Sequence, residues 1–316
     1  MGNKLKNNIL PAIFFAFLIL LALAFYSDFN STITSLQSFS FYLIPILLLI
    51  ILLNFFVRFL KWHYYIKLLK INISVKDSLF IFFSGLSMSV TPGKWGELLK
   101  SYMIKEITGD QISKTAPIVF AERITDIISL IILALVGTIF YQYGRVSLIV
   151  LVTGFVVILY SISNRTFGNL IIRYLKSVKI IRKYVVTIEN LYNGSFELLK
   201  IIPLIKMILL SFFMWGLEFF GFYIILSNFI NNISFVWASF IYAFAVIVGS
   251  FSMFPGGLGF TEGSLTFFLV NRGLEKGDAV AVTVIIRMIT LWFSVLLGFI
   301  VLLVYHKKRK KNFPML

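Results

Sequence analysis

Residues 235–262 read FVWASFIYAFAVIVGSFSMFPGGLGFTE. An uncharged apolar run, 235–254, enters Pro255, Gly256, Gly257, Leu258 and Gly259, and the segment closes on Glu262 before a short apolar stretch to Val270. Proline and glycine clusters break helices. Irregular backbone at membrane depth survives only where protein or water covers it. A second segment has the same form. Residues 78–90 run into Thr91-Pro92-Gly93-Lys94-Trp95-Gly96-Glu97 and resume as a short helix to about Ile104. Each segment reads as two half-helices meeting at a loop, a re-entrant hairpin. The plainer alternative is a full span followed by an ordinary loop.

The composition says which solvent these segments meet. Of 316 residues, 59% are hydrophobic and 13% charged, with 35 phenylalanines. A soluble domain is usually about 45–50% apolar and about 25% charged. A water-soluble globule cannot bury so much apolar surface, which excludes a soluble enzyme, a nucleic-acid module and a disordered chain. There is no cysteine, and His63 and His306 are the two histidines. No zinc, nucleotide-loop or calcium-loop motif is present, so no metal and no cofactor is expected.

A membrane helix needs about 20 mostly apolar residues. Full spans are expected at 9–27, 38–60, 115–142, 146–163, 203–228 and 278–305. Lysine and arginine in short loops orient them. The 28–37 and 229–234 loops carry neither, so they face outward. Arg58, Lys61, Lys67, Lys70 and Lys76 follow the second span, and Lys307-Lys308-Arg309-Lys310-Lys311 follow the last. Both groups are expected on the cytoplasmic side, as are both termini. The 164–202 connection mixes Arg165, Arg173, Lys176, Lys179, Arg182, Lys183 and Lys200 with apolar residues at roughly helical spacing. It reads as a basic amphipathic segment on anionic inner-leaflet head groups. This bookkeeping assigns the formal charge of +16 mainly to topology. Among the basic residues it leaves Arg123 and Arg287 inside helices.

The two halves correspond. Pro92, Gly93, Gly96 and Glu97 lead to Gly109-Asp110, Ala116 and Arg123; Pro255, Gly256, Gly259 and Glu262 lead to Gly277-Asp278, Ala279 and Arg287. The first hairpin enters from the cytoplasm and the second from outside. That is an inverted repeat, and paired Gly/Pro-broken segments in such repeats point to a midplane substrate site. One domain, 1–316, is expected, with repeat 1 at about 38–142, the connection at 164–202, repeat 2 at about 203–305 and a basic tail at 306–316. The fold class is an all-α polytopic membrane protein with about six transmembrane helices and two re-entrant hairpins.

Glu97, Glu122, Arg123, Asp126, Glu218, Glu262 and Arg287 fall within or beside membrane segments. Each charge at a helix centre costs about 2.5–3.5 kcal/mol on insertion scales, so they must pair or line a wet cavity. Arg123 and Arg287 are expected to face Glu97 and Glu262. Two roles stay open. The pairs hold the hairpins in place, or Arg123, Arg287, Lys94 and the half-helix N-termini receive a phosphate. Glu218 has no counterpart in the other half. No nucleophile–base constellation is visible, so catalysis is not expected.

The ordered set Pro92-Gly93-Lys94-Trp95-Gly96-Glu97, Glu122-Arg123-xx-Asp126 and Pro255-Gly256-Gly257-Leu258-Gly259-xx-Glu262 resembles the lysylphosphatidylglycerol synthase transmembrane-region family, also called the flippase-like domain family. The similarity covers about residues 10–306. In the bacterial multiple peptide resistance factor, a domain of this kind translocates aminoacylated phosphatidylglycerol, and a separate soluble domain makes it. The length here leaves no room for that soluble domain, so the synthase half of the family name is not carried over. Some stand-alone members are linked to polyprenyl-phosphate sugar pathways. The family often has Arg where this chain has Lys94 and Lys100, which keeps the charge but not the bidentate fork.

The expected activity is therefore a flippase for a phospholipid or polyprenyl-phosphate-linked lipid in the cell membrane. The alternatives are a secondary transporter of a small solute and a non-catalytic subunit of a glycosyl or aminoacyl transferase pathway. The expected partners are membrane lipids and a lipid-modifying or glycosyltransferase enzyme, with no nucleic acid.

Overall fold

A computed structural model describes residues 18–19, 21–23, 25–91, 96–140, 153 and 185–312. The span expected at 146–163, most of the basic 164–202 connection and the loop residues Pro92, Gly93 and Lys94 lie outside them. The regular structure among the described residues is all helical, with no strand. In chain order they form α1 (Phe29–Ser38), a 3-10 turn (Phe41–Leu43), α2 (Ile44–Leu68), α3 (Val75–Leu86), α4 (Leu99–Thr108), α5 (Ile112–Phe140), α6 (Val185–Leu198), α7 (Ile201–Leu226), α8 (Phe235–Phe251), a 3-10 turn (Pro255–Gly257), α9 (Phe260–Asn271), α10 (Lys276–Arg287), a π-helical stretch (Met288–Trp292) and α11 (Phe293–Asn312).

Among the described residues, three stretches are long and apolar enough to cross a bilayer: Phe41–Leu68, Ile201–Leu226 and Lys276–Tyr305. The Pro-Gly segments are broken as their composition requires. α3 rises about 18 Å and α4 about 15 Å, against a hydrocarbon core of about 30 Å. α8 rises about 25 Å before Pro255, and α9 about 18 Å after it.

The burial pattern is that of a helix bundle in an apolar solvent. On α2, Leu49, Leu52, Leu53, Phe56 and Leu60 recur at helical spacing and are all exposed. Its opposite face buries Leu47, Ile51, Phe55, Trp62 and Tyr65 together with polar Asn54 and Lys61. Asn54 Nδ2 donates to the Met214 carbonyl of α7 at 2.7 Å. An apolar face turned outward and a polar residue bonded inward suit lipid rather than water.

The packing between the halves is reciprocal. The long helices α2 and α7 pack on each other. α5, which follows the first broken segment, packs on α8 of the second, and α11, which follows the second, packs on α3 of the first. The close approach of α11 to α3 is set by Gly298, where a Cβ would lie 2.2 Å from the Ser87 backbone nitrogen.

Two sequence expectations change. The stretch 28–37, read as an external loop, is the helix α1, which packs along α10. Its small polar residues hid it from a hydropathy reading, yet they permit the contact. Thr32 and Ser35 are buried, and Ser31 sits where a side chain on Gly277 would be. Small residues at a helix crossing let backbones approach closely. The second span ends later than expected, at Leu68 rather than 60, which carries Lys61 into the helix.

Replacing Gly298 by Leu forces α11 off α3. The expected cost is about 1–3 kcal/mol for overpacking, read as a lowered unfolding temperature of the purified protein in detergent. An unchanged temperature would contradict the close contact.

Candidate functional site

α5 presents Glu122, Arg123 and Asp126 within little more than one turn, and each is met by a different element. Lys61 of α2 reaches Asp126 Oδ1 at 2.5 Å, and its ammonium also donates to Ser211 Oγ of α7 at 2.6 Å and to the Glu122 carbonyl at 3.3 Å. Ser211 Oγ donates on to Asp126 Oδ1 at 3.0 Å. Lys100 of α4 reaches Glu122 Oε2 at 2.7 Å. Arg123 Nη2 bonds Glu97 Oε1, in the turn that precedes α4, and its Nη1 lies 3.9 Å from Asp126 Oδ2. All three carboxylate residues and both lysines are buried; Lys61 is 2% exposed.

Local packing fixes these groups. Thr91 Oγ1 accepts from the Gly96 amide at 2.8 Å and closes the loop that delivers Glu97. The Lys100 stem lies where a Cβ on Gly85 would come within 2.6 Å of its Cγ. Its ammonium stands 4.3 Å from the Trp62 ring centroid, a cation–π contact in a desolvated place. The groups surround a cavity of about 20 Å³, lined also by Arg58, Phe82, Leu86 and Met214. That is room for roughly one water.

The second half repeats the principal contact. Arg287, the last residue of α10, donates through Nε to Glu262 Oε1 at 2.6 Å. Glu262 lies in the first turn of α9, and its Oε2 accepts the Gly259 amide at 2.7 Å, so it caps that helix. Arg287 Nη2 donates to the Gly256 carbonyl at 2.6 Å. Gly256 has φ +61°, a left-handed conformation that favours glycine. A Cβ there would lie 3.6 Å from Val90 Cα and 3.1 Å from Leu291, so the two loops come together at this point. Val90, Leu258 and Leu291 form a small buried cluster of their own. The π-helical turn begins one residue after Arg287, and such bulges are frequent at functional sites. The cavity beside Glu262 and Arg287 is about 10 Å³.

The structure thus joins Glu97 to Arg123 and Glu262 to Arg287, and gathers Glu122 and Asp126 around the first pair. Gly96, Pro255, Gly256, Gly257 and Gly259 sit at the two loops. Glu218 stands apart on α7 and accepts from Tyr242 Oη of α8 at 2.8 Å.

Lys61 and Lys100 correct the charge bookkeeping: neither is a solvated cytoplasmic charge, and both are buried against carboxylates. The signal for Lys61 lay in the apolar spacing of Trp62, Tyr65, Ile66 and Leu69, which carries the helix past 60. For Tyr242 and Ser211 there was no comparable signal.

The sequence profile described as the lysylphosphatidylglycerol synthase TM region matches residues 11–298, a range that includes both Glu–Arg pairs. The chain is 25% identical over 320 residues to a UPF0104 membrane protein of Pyrococcus horikoshii, covering 92% of this chain and 95% of that one. A UPF0104 membrane protein of Methanocaldococcus jannaschii is 25% identical over 230 residues, with 71% of this chain and 97% of that protein covered. The similarity to the first therefore runs the length of both proteins and is not confined to one motif.

Removing one partner of a buried ion pair leaves the other uncompensated. Asp126→Leu alone should destabilise the protein by about 3–5 kcal/mol, whereas Lys61→Met with Asp126→Leu should recover most of it. A double-mutant cycle by thermal unfolding measures both. Equal losses in the single and double variants would mean that the pair is not coupled.

Proposed function

The chain belongs to the lysylphosphatidylglycerol synthase transmembrane-region family, and from that premise we propose that it moves a lipid with a phosphate-bearing head group between the leaflets of the cell membrane. The observation that carries this reading is the repeated Glu–Arg contact. In each half, a carboxylate beside a broken helix pairs with an arginine of the helix that follows.

In this reading the halves form an inverted repeat of full spans and re-entrant hairpins. Both termini face the cytoplasm. The lengths of α3 and α4, each too short to span, support re-entry. The reciprocal packing of α5 on α8 and of α11 on α3 supports the repeat. The head group passes along the hairpins while the tails stay in lipid.

A cavity of about 20 Å³ holds no head group. The conformation described is a closed one in which Glu97 occupies the place of the substrate's negative charge. A phosphate entering from either side exchanges with the carboxylate on Arg123. The exchange keeps the arginine neutralised, and the released Glu97 stays in a cavity whose cations Arg58, Lys61, Lys100 and Arg123 balance its three carboxylates and one phosphate charge. Guanidinium forks match phosphate as well as carboxylate.

The protein acts here as a carrier and not as an enzyme. Membrane lipids are its ligands, anionic inner-leaflet head groups attract its basic 164–202 connection, and a lipid-modifying or glycosyltransferase enzyme supplies or consumes the lipid. A lipid gradient or coupled protons provide the drive.

Arg123→Ala, which loses a head-group contact, and Arg287→Ala, which unties the second loop, are each expected to slow translocation of a fluorescent phospholipid in proteoliposomes at least tenfold, or about 1.4 kcal/mol. The paired variant Glu97→Gln/Arg123→Gln removes the exchange without leaving a lone buried charge and should be equally slow. Wild-type rates in all three would overturn the proposal.

A further inference from the structure

The hydrogen-bond donors around the first-half cavity are unequally committed. An ammonium has three donors and a guanidinium five. All three donors of Lys61 have acceptors: Asp126, Ser211 and the Glu122 carbonyl. Lys100 has the Glu122 carboxylate and the Trp62 ring. Arg123 has Glu97, but its Nε is buried with no acceptor. Arg58, half-buried one turn before Lys61 on α2, lines the same cavity and has no hydrogen bond or ion pair among the described residues.

The charges are unequal too. Four cations (Arg58, Lys61, Lys100 and Arg123) face three carboxylates (Glu97, Glu122 and Asp126), one positive charge in excess. The second half differs on both counts. Arg287 commits Nε to Glu262 and Nη2 to the Gly256 carbonyl, and one cation meets one carboxylate.

We propose that Arg58 and Arg123 together form the seat for the phosphate of the ligand, and that this seat exists in the first half alone. A phosphate in the cavity mouth takes the open donors of both guanidinium groups. It also supplies the negative charge that the cluster lacks. The matching pair in the second half holds its loop and binds no phosphate. The lysines hold α5: Lys61 has no donor left for a ligand, and Lys100 is held between the Glu122 carboxylate and the Trp62 ring. This inference deepens the translocation reading and rests on it for the class of ligand, a phosphate ester.

The test is isothermal titration of the full chain in uncharged detergent with three probes: dihexanoylphosphatidylglycerol, glycerol 1-phosphate and dihexanoylglycerol. The variants are Arg58→Gln, Arg58→Lys and, as a control for lost charge, Arg272→Gln, at a residue that does not line this cavity. Wild type should bind the phospholipid saturably and the phosphate-free diglyceride at least tenfold more weakly. Arg58→Gln should weaken phospholipid binding about tenfold or more, the loss of a charge-assisted contact. Arg58→Lys should fall between, since an ammonium keeps the charge without the fork. Among the described residues Arg58 makes no hydrogen bond or ion pair that its loss would break, so the variant is expected to fold, and Arg58→Lys gives a second reading.

Equal weakening by Arg58→Gln and Arg272→Gln, no saturable binding to wild type, or binding of the diglyceride as tight as that of the phospholipid would each overturn the seat. Glycerol 1-phosphate binding as tightly as the phospholipid, with the same Arg58 dependence, keeps the seat and makes its ligand a soluble phosphate ester. Normal Arg58-dependent binding with no lipid movement in proteoliposomes also keeps the seat and removes translocation. Lipid movement with Arg58→Gln binding as wild type removes the seat alone.

Discussion

A charged side chain inside a bilayer is tolerated only when an opposite charge answers it, and in this protein the answers come from different parts of the chain. Three charged residues of α5 are held by three separate elements: Glu122 by Lys100 of α4, Arg123 by Glu97 of the preceding turn, and Asp126 by Lys61 of α2. Ser211 of α7 joins the last of these. None of the partners is adjacent in sequence, so the ion pairs fix how α2, α4, α5 and α7 meet. Apolar packing supplies contact area along these helices but little direction, because lipid is as apolar as the side chains. The charges provide the register.

The same arginine–carboxylate contact occurs twice, and its surroundings differ. In the second half it is a closed device: Glu262 caps α9, and Arg287 ties it to the Gly256 carbonyl. In the first half it opens on a polar cavity with two lysines, two further carboxylates and Arg58. The frame is shared by the two halves and the chemistry around it is not. The π-helical turn after Arg287 and the contact of Gly256 with Val90 place the second arginine where the two loops touch. A shift of either loop is therefore felt by the other.

Much of this was legible in the residues. Pro255-Gly256-Gly257 and the Gly96-Glu97 turn break their helices as composition demands, and the charges Glu97, Glu122, Arg123, Asp126, Glu262 and Arg287 stand out because little else in those runs is polar. What stayed hidden has physical reasons. Loop counting treats every lysine near a span end as solvated, and Lys61 looks no different from Lys67 until Asp126 is placed beside it. α1 escaped because its buried residues, Thr32 and Ser35, are polar and small. Glu218 could be singled out as a charge, but not its partner Tyr242, one aromatic among many.

In the proposed cycle Arg123 exchanges the Glu97 carboxylate for the phosphate of a lipid. Quantitative mass spectrometry of lipids co-purified with the intact protein, compared with the bulk membrane extract, tests it most directly. Enrichment of a lipid with a phosphate-bearing head group is expected, and its loss when Arg123 is replaced by Gln. Co-purified lipid in the same proportions as the bulk membrane, or enrichment that persists in Arg123→Gln, would contradict it.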